Sequence, residues 1–363
     1  MKKLNNKLSN AVFVIILVSF LFTVDLPAQS NGGVKIRVGE YGLFLGNTHR
    51  AKGLRINWSD SHVDEITGVN ITLWKPTEPP SGVIKGVSIG LLSPSADILK
   101  GVSIGGIGVA AGSEVSGLNI GLLGVGSGGN INGITIGGFG VGAGGNVTGV
   151  TLGGFGAGVG GNSTGLLIGL LGAGVGGNMK GIAIGGLGFG VGGNSTGLLF
   201  GLFGAGVGEN MKGIQVAGLG LGAGGDITGI TFGGLGLGAG KNLEGVNLSF
   251  IGIGAGEKIR GFNLAGIGVG SETIEGITFG GLGVGAKNIR GITLSLGRIK
   301  VIKGGELTGF SASAYNRIEG TQHGVTIGLV NYAENLSGLQ IGLLNIAPRN
   351  PKGRKILPII NWN

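Results

Sequence analysis

Apolar and polar positions along the chain repeat with a period of 16 residues from Gly101 onward. In the repeat GITIGGFGVGAGGNVT (133–148), Ile134 and Ile136 alternate with Thr135, which predicts a short strand with the isoleucines turned inward. The apolar residues of GFGVGA (138–143) alternate on the opposite parity. Because side chains in one regular strand have period two, each repeat is predicted to hold two short strands with a glycine corner between them.

Columns of equivalent residues run through the repeats. The position after each opening glycine is aliphatic, and the position after that is mostly Thr, Asn, Ser or Gln, so we expect the second column to face outward. A corner column stands three positions before each opening glycine, where asparagine side chains could form an amide ladder and support left-handed turns. This column consists of Asn130, Asn146, Asn162, Asn178, Asn194, Asn210, Asp226 and Asn242.

Two all-β architectures fit these columns. The preferred one is a repetitive β-solenoid, a stack of ~16-residue glycine-rich units in which each repeat is one coil, with an N-terminal β cap. The alternative is an up-and-down outer-membrane β-barrel of ~16-residue strand-turn units. Scarce charge fits both architectures, but the chain has only 3 Trp and 3 Tyr, too few for the aromatic girdles of a barrel.

The chain divides into four segments. Residues 1–28 form a predicted signal peptide, with Lys2 and Lys3 before an apolar run and a cleavage point after Ala28. Residues 29–100 form the N-terminal β cap, and residues 101–308 hold the repeats of 16 and then 15 residues. Residues 309–363 hold 14-residue repeats and a closing segment. Export to the outer membrane or cell surface is therefore expected, with the periplasm as a further location.

Composition excludes several classes of protein. The chain has 89 Gly and 8 Pro in 363 residues without a three-residue period, which excludes collagen. With no Cys, it has neither a disulfide nor a thiolate metal site. Basic residues concentrate near the two ends rather than along a continuous surface, so a nucleic-acid partner is not expected. The residues also indicate no cofactor and no small-molecule substrate.

Catalytic residues cannot be read from this sequence, and the predicted protein is not an enzyme. The densest polar cluster consists of Asp60, His62, Asp64 and Glu65, which are weak candidates for a metal site with oxygen and imidazole ligands. An exposed turn between two strands accounts for the same residues more simply. No Ser-His-Asp or paired-carboxylate pattern is present.

The chain resembles a largely uncharacterised family of glycine-rich surface-repeat proteins exported by Gram-negative bacteria. The resemblance rests on five segments: GLRINWSD (53–60), GVNITLWKP (68–76), GITIGGFGVGAGGN (133–146), GVTIGLVNYAENLSGLQIGLLNIA (324–347) and LPIINW (357–362). It implies export and association with the outer membrane or cell surface, and it supplies no catalytic residue.

The sequence therefore predicts an exported, non-enzymatic structural or surface protein of the cell envelope. Its expected partner is the envelope surface or outer membrane, with self-association as a further possibility, because the stretch 104–225 carries just four charges. One alternative function is an outer-membrane channel or pore. Another is an ice- or surface-binding solenoid, which requires the Thr-rich column to form an exposed flat ladder.

Overall fold

A computed structural model describes residues 23–25 and 33–363. The regular elements of these residues are all strands. They form two compact units, divided between Leu170 and Leu171, and each unit is a β-solenoid. No helix in the described residues is long and apolar enough to cross a membrane.

The first unit contains fourteen strands. Their bounds are β1 Thr23–Asp25, β2 Gly33–Val38, β3 Tyr41–Gly46, β4 Arg50–Ser59, β5 Glu65–Trp74, β6 Val83–Gly90, β7 Ser95–Gly105, β8 Gly108–Gly121, β9 Gly124–Ser127, β10 Asn130–Gly137, β11 Gly140–Ala143, β12 Val147–Gly153, β13 Gly156–Val159 and β14 Ser163–Gly169. Of the predicted signal peptide, only β1 is described; residues 1–22 and 26–28 lie outside the described residues.

The second unit contains nineteen strands. The first ten are β15 Gly172–Val175, β16 Met179–Gly185, β17 Gly188–Val191, β18 Ser195–Gly201, β19 Gly204–Val207, β20 Met211–Ala217, β21 Gly220–Ala223, β22 Ile227–Gly233, β23 Gly236–Ala239 and β24 Asn242–Ser249. The other nine are β25 Gly252–Ala255, β26 Lys258–Ala265, β27 Gly268–Gly270, β28 Thr273–Gly280, β29 Gly283–Ser295, β30 Arg298–Ala312, β31 Tyr315–Ile327, β32 Val330–Ile346 and β33 Ile356–Trp362.

Each 16-residue repeat forms one coil, as the solenoid prediction requires. Strand β10 pairs in parallel with β12, so that Gly133 lies beside Gly149, and β11 pairs in parallel with β13 in the same way. Identical positions of successive repeats therefore stack directly on one another. This parallel pairing of residues one repeat apart decides between the two architectures that the sequence left open.

One coil has three outward-facing sides, as residues 130–143 illustrate. The polar side is residues 130–132, the aliphatic side is 134–137 and the glycine side is 140–143. The opening glycine, Gly133, separates the first two sides, and the exposed residues Gly138 and Phe139 separate the last two. The predicted glycine corner between two strands is confirmed at Gly138.

The opening glycine is required by the backbone. Gly133 has φ of 107°, a conformation that side-chain-bearing residues rarely adopt. A Cβ atom at this position would also lie 2.3 Å from the carbonyl oxygen of Gly117 in the preceding coil. Strain and a steric clash therefore act together, and they explain why a glycine opens every repeat.

The orientation expected for the aliphatic side is wrong. Thr135 is fully buried, whereas Ile134 is 47% exposed and Ile136 is half-buried. The aliphatic core comes mainly from the other two sides, with residues such as Ile131 of the polar side and Val141 of the glycine side. All three inward residues have odd numbers, so inward-facing positions keep one parity through the coil.

The inward end of the aliphatic side is tightly packed. A Cβ atom at the inward position of Gly137 would lie 2.0 Å from the carbonyl oxygen of Gly140, because the corner folds tightly over the end of the aliphatic side. Side-chain size does not by itself set the orientation, because Leu199 is buried at the position equivalent to Thr135. Some inward polar atoms are paired within the stack, as in the hydrogen bond of 3.4 Å that Asn119 Nδ2 donates to Thr135 Oγ1, whereas others, such as Asn119 Oδ1, have no hydrogen-bond partner.

Antiparallel strands adjoin the parallel stack in each unit. In the first unit, β2 and β3 form an antiparallel hairpin, and β3 then begins the parallel pairing with β4 at Gly42 and Gly53. In the second unit, β33 pairs antiparallel with β32, the strand of the last coil. These strands are the caps that a solenoid needs over its terminal coils.

Candidate functional surface

A network of ion pairs lies on the polar side of the second unit. Arg260 lies between two glutamates there, with its guanidinium 3.0 Å from Glu275 Oε2 and 3.8 Å from Glu244 Oε1. Arg290 Nη1 also lies 3.8 Å from Glu275 Oε1. The hydrogen bond from Arg260, followed by the charges of nearby Lys258 and Arg290, lowers the pKa of Glu275 below its ordinary value of 4.5, although burial opposes this.

The asparagine corner column forms the predicted amide ladder. In the first unit, Asn146 Oδ1 accepts hydrogen bonds from the backbone nitrogen of Asn162 at 2.8 Å and from its Nδ2 at 3.2 Å. In the second unit, Asn178 Oδ1 accepts from the backbone nitrogen of Asn194 at 2.8 Å and from its Nδ2 at 3.1 Å. The column therefore satisfies backbone N–H groups at a corner that lacks a regular strand partner.

The corner asparagines do not have the expected left-handed conformation. Among the described residues, the only non-glycine residues with positive φ are His62 and Ile359. Asparagine is used at this corner because its side-chain oxygen reaches the backbone of the next coil. It is not needed there for its tolerance of positive φ.

The Thr-rich column, expected outside, lies within the coils. It is buried in both units: Ser103, Asn119, Thr135 and Thr151 in the first, and Gln215, Thr231, Asn247, Asn263, Thr278, Thr293, Ser311, Thr326 and Gln340 in the second. Neighbouring members are hydrogen-bonded, as between Asn247 Nδ2 and Asn263 Oδ1 at 2.8 Å. This column therefore does not form the exposed threonine ladder that an ice-binding function requires.

Three of the four candidate metal ligands are directed to separate partners. His62 Nε2 lies 2.8 Å from Glu78 Oε2, the Arg50 guanidinium lies 3.1 Å from Asp64 Oδ2, and Lys85 Nζ lies 2.8 Å from Glu65 Oε1. No group of three His, Cys, Asp or Glu residues in the part of the chain that the structure describes is placed to hold a metal ion.

Asp60, the fourth candidate, belongs to a buried polar cluster of the first unit. Its Oδ1 accepts hydrogen bonds from Arg55 Nη1 at 2.7 Å, Asn57 Nδ2 at 2.9 Å and Asn70 Nδ2 at 3.0 Å. Burial lowers the pKa of Arg55, and the charge of Asp60 opposes that effect. This ion pair was not predicted from the sequence, although Arg55 and Asn57 stand at alternate positions that share one face of β4.

The aliphatic side is a long uncharged surface of the second unit. In eleven coils, the two outward positions after the opening glycine are apolar and either exposed or half-buried. They are Ile182, Ile184, Leu198, Phe200, Ile214, Val216, Ile230, Phe232, Val246, Leu248, Phe262, Leu264, Ile277, Phe279, Ile292, Leu294, Phe310, Ala312, Val325, Ile327, Leu339 and Ile341. Soluble monomers rarely expose contiguous apolar patches larger than a few hundred Å².

Corner residues extend this apolar side. Leu202, Phe203, Phe250 and Leu282 follow it in three of the eleven coils and are about half exposed or more, with Phe250 at 69%. Their backbone groups are nevertheless paired, as in the 2.8 Å hydrogen bond from Phe250 N to Gly234 O. The corner can therefore be covered by an apolar partner without burying an unpaired backbone group.

A groove interrupts the aliphatic side near its C-terminal end. It has a volume of about 590 Å³, and its lining includes Leu294, Leu296, Ala312, Ala314 and Leu329. The small side chains of the two alanines lie in a coil between larger leucines, which creates the depression. The groove is mostly apolar and open to solvent, so an apolar side chain of a partner fits in it.

The second outward position of the glycine side has no internal requirement for glycine. At Gly142, Gly158, Gly190 and Gly206, φ lies outside the positive range and a Cβ atom would meet nothing within 4 Å. Alanine would therefore fit at these positions, although glycine weakens a strand by roughly 0.5–1 kcal/mol relative to alanine. The contrast with Gly133 shows that the glycines of one repeat serve different purposes.

Comparison of the chain with protein-family models, with curated proteins and with solved structures finds no match.

Proposed function

We propose that this protein is an exported, non-enzymatic structural component of the cell envelope that lies against another surface through its uncharged aliphatic side. The observation that supports this most is the aliphatic side of the second unit, where eleven consecutive coils present apolar residues at both outward positions. A surface of this size and composition is stabilised by contact with an apolar partner rather than by water.

Three further features agree with this proposal. The predicted signal peptide directs the chain out of the cytoplasm. The charged residues on the polar side keep one side of each coil hydrated while the aliphatic side makes contact. The stacked hydrogen bonds of the repeat produce long surfaces of constant geometry, which suit an adhesive or structural role better than catalysis, since catalysis needs convergent polar groups in a pocket.

Cell fractionation tests the proposal. We expect the full chain, produced in a Gram-negative host, to be recovered in the envelope fraction with an N-terminus at Gln29. A matched variant with Leu17→Arg in the apolar run should stay in the cytoplasm with its N-terminus uncleaved. Recovery of the unaltered chain wholly in the soluble periplasm or in the cytoplasm would contradict the proposal.

A further inference from the structure

We infer that the aliphatic side of residues 171–363 packs against the same side of a second copy of this chain. This inference rests on the proposed function, because it names the partner of the same uncharged surface. Four observations support it: the area of the side, the spacing of its columns, the groove near its end and the absence of charge from it.

The aliphatic side is large enough for a stable interface. Its eleven coils open with Gly181, Gly197, Gly213, Gly229, Gly245, Gly261, Gly276, Gly291, Gly309, Gly324 and Gly338. With strands about 4.8 Å apart and about 3.3 Å per residue, the four residues of the side and the two corner residues that extend it cover roughly 1,000 Å² over eleven coils. A typical stable protein interface buries about 800 Å² on each partner.

The spacing of the side chains favours a second copy over an unrelated protein. The outward residues stand in columns whose spacing is set by the pairing of successive strands, as between Ile214 and Ile230. Another copy has the same column spacing, so the side chains of one surface fit between those of the other along its length. Facing β-sheets with a common strand spacing interdigitate in this way at a separation of about 10 Å.

The groove and the exposed corner residues provide complementary shapes. The groove beside Ala312 and Ala314 can receive a bulky apolar side chain. The same chain presents Phe250, which is 69% exposed, at the apolar corner. In a two-fold symmetric pair, the projection of each copy meets the depression of the other, so one set of residues forms both contacts.

Charge does not oppose this contact. One residue before the opening glycine, the polar side of these coils carries Lys180, Lys212, Glu244, Arg260, Glu275 and Arg290. The matching outward positions after the glycine carry no charge in any of the eleven coils. Two aliphatic sides therefore meet without like-charge repulsion and without desolvating an ion pair.

Sedimentation of the purified protein in detergent-free buffer tests this inference. We expect a dimer at micromolar concentration, and a monomer for the double variant Leu198→Glu/Ile230→Glu. The matched control is Thr196→Glu/Thr228→Glu, which adds the same charge to the same strands but on the polar side, where Lys180 and Lys212 lie in the same column. The control should remain dimeric. A monomeric parent protein, or a dimer that persists in the aliphatic-side variant, would overturn the inference.

Thiol protection gives a second measurement that does not depend on the folding of a charged variant. The chain has no cysteine, so Ile230→Cys and Thr228→Cys each introduce a single reactive thiol. As the protein is concentrated into the dimer range, maleimide labelling should slow about tenfold at the first position and stay unchanged at the second. Equal labelling of both thiols at high concentration would contradict the inference.

Vesicle flotation separates this inference from the proposed function. A parent protein that stays monomeric but floats with phosphatidylethanolamine–phosphatidylglycerol vesicles, and loses this property in Leu198→Glu/Ile230→Glu, would identify lipid as the partner. That result would overturn the second-copy inference and leave the proposed envelope association standing. Dimerisation in vitro combined with a soluble periplasmic location in cells would support the second-copy inference and contradict the proposed envelope association.

Discussion

The polar side and the aliphatic side of each coil belong to the same strand and the same hydrogen-bond ladder, yet they are built in opposite ways. In β10, Ile131 points inward and Asn132 outward before the opening glycine, whereas Thr135 points inward and Ile134 outward after it. The fold therefore buries aliphatic residues on one side of Gly133 and polar residues on the other. A column of apolar residues does not by itself identify the interior of a solenoid.

The largest expected difference in stability is between an aspartate at an inward position of the polar side and an aspartate at an outward position of the aliphatic side. Ile131→Asp should lower the free energy of unfolding by about 4 kcal/mol, because it buries a carboxylate among aliphatic side chains. Ile134→Asp should lower it by under about 1 kcal/mol, because that side chain is half exposed. Chemical denaturation of the two variants measures the contrast, and equal losses would show that the two positions do not differ in burial.

Replacing the glycine between the two sides should have the next largest effect. Gly133→Ala should lower the free energy of unfolding by about 2 kcal/mol, because it combines a positive φ with a clash against the preceding coil. Gly142→Ala is the control, and it should leave stability unchanged or raise it by up to about 1 kcal/mol. Thermal unfolding followed by circular dichroism compares them. A harmless Gly133→Ala variant would show that the backbone does not require glycine at the start of the repeat.

The buried polar column offers a smaller and more specific test. Thr135→Val keeps the size and branching of the side chain but removes the hydroxyl that accepts the hydrogen bond from Asn119 Nδ2. We expect the free energy of unfolding to fall by about 1–2 kcal/mol, the effect of leaving a buried polar group unpaired. Thr148→Val alters an exposed threonine and serves as the control. Equal stability of both variants would place Thr135 outside the interior.

The smallest expected effect concerns the charges on the polar side. Because the pKa of Glu275 is lowered in the folded protein, its ion pairs stabilise the fold above its ordinary value of 4.5, and this stabilisation is lost as the pH falls through the lowered value. Glu275→Gln should remove this part of the pH dependence and change stability near neutral pH by under about 1 kcal/mol. Unfolding measured from about pH 7 to about pH 2 checks this, and an unchanged pH profile would contradict it.

Much of the fold follows from the spacing of a few residue types. The period between opening glycines predicts the length of a coil, and the break in alternation predicts the corner at Gly138. The asparagine column predicts an amide ladder, which the hydrogen bonds between Asn146 and Asn162 confirm. The ion pairs of the candidate metal ligands could not be predicted in this way, because the coils before Gly101 have no constant length from which a pair such as Lys85 and Glu65 could be read.

The sequence by itself determined the all-β class, the coil length and the positions of the corners, because these depend on backbone conformations and on alternation within one repeat. Only the tertiary structure decided which side of the strand faces inward. That choice depends on contacts between coils, where inward polar side chains meet their equivalents one repeat away, as Asn247 Nδ2 meets Asn263 Oδ1 at 2.8 Å. An alternation of Ile and Thr is the same whichever set faces inward, so the pattern within one repeat could not show that the longer aliphatic side chains form an exposed surface.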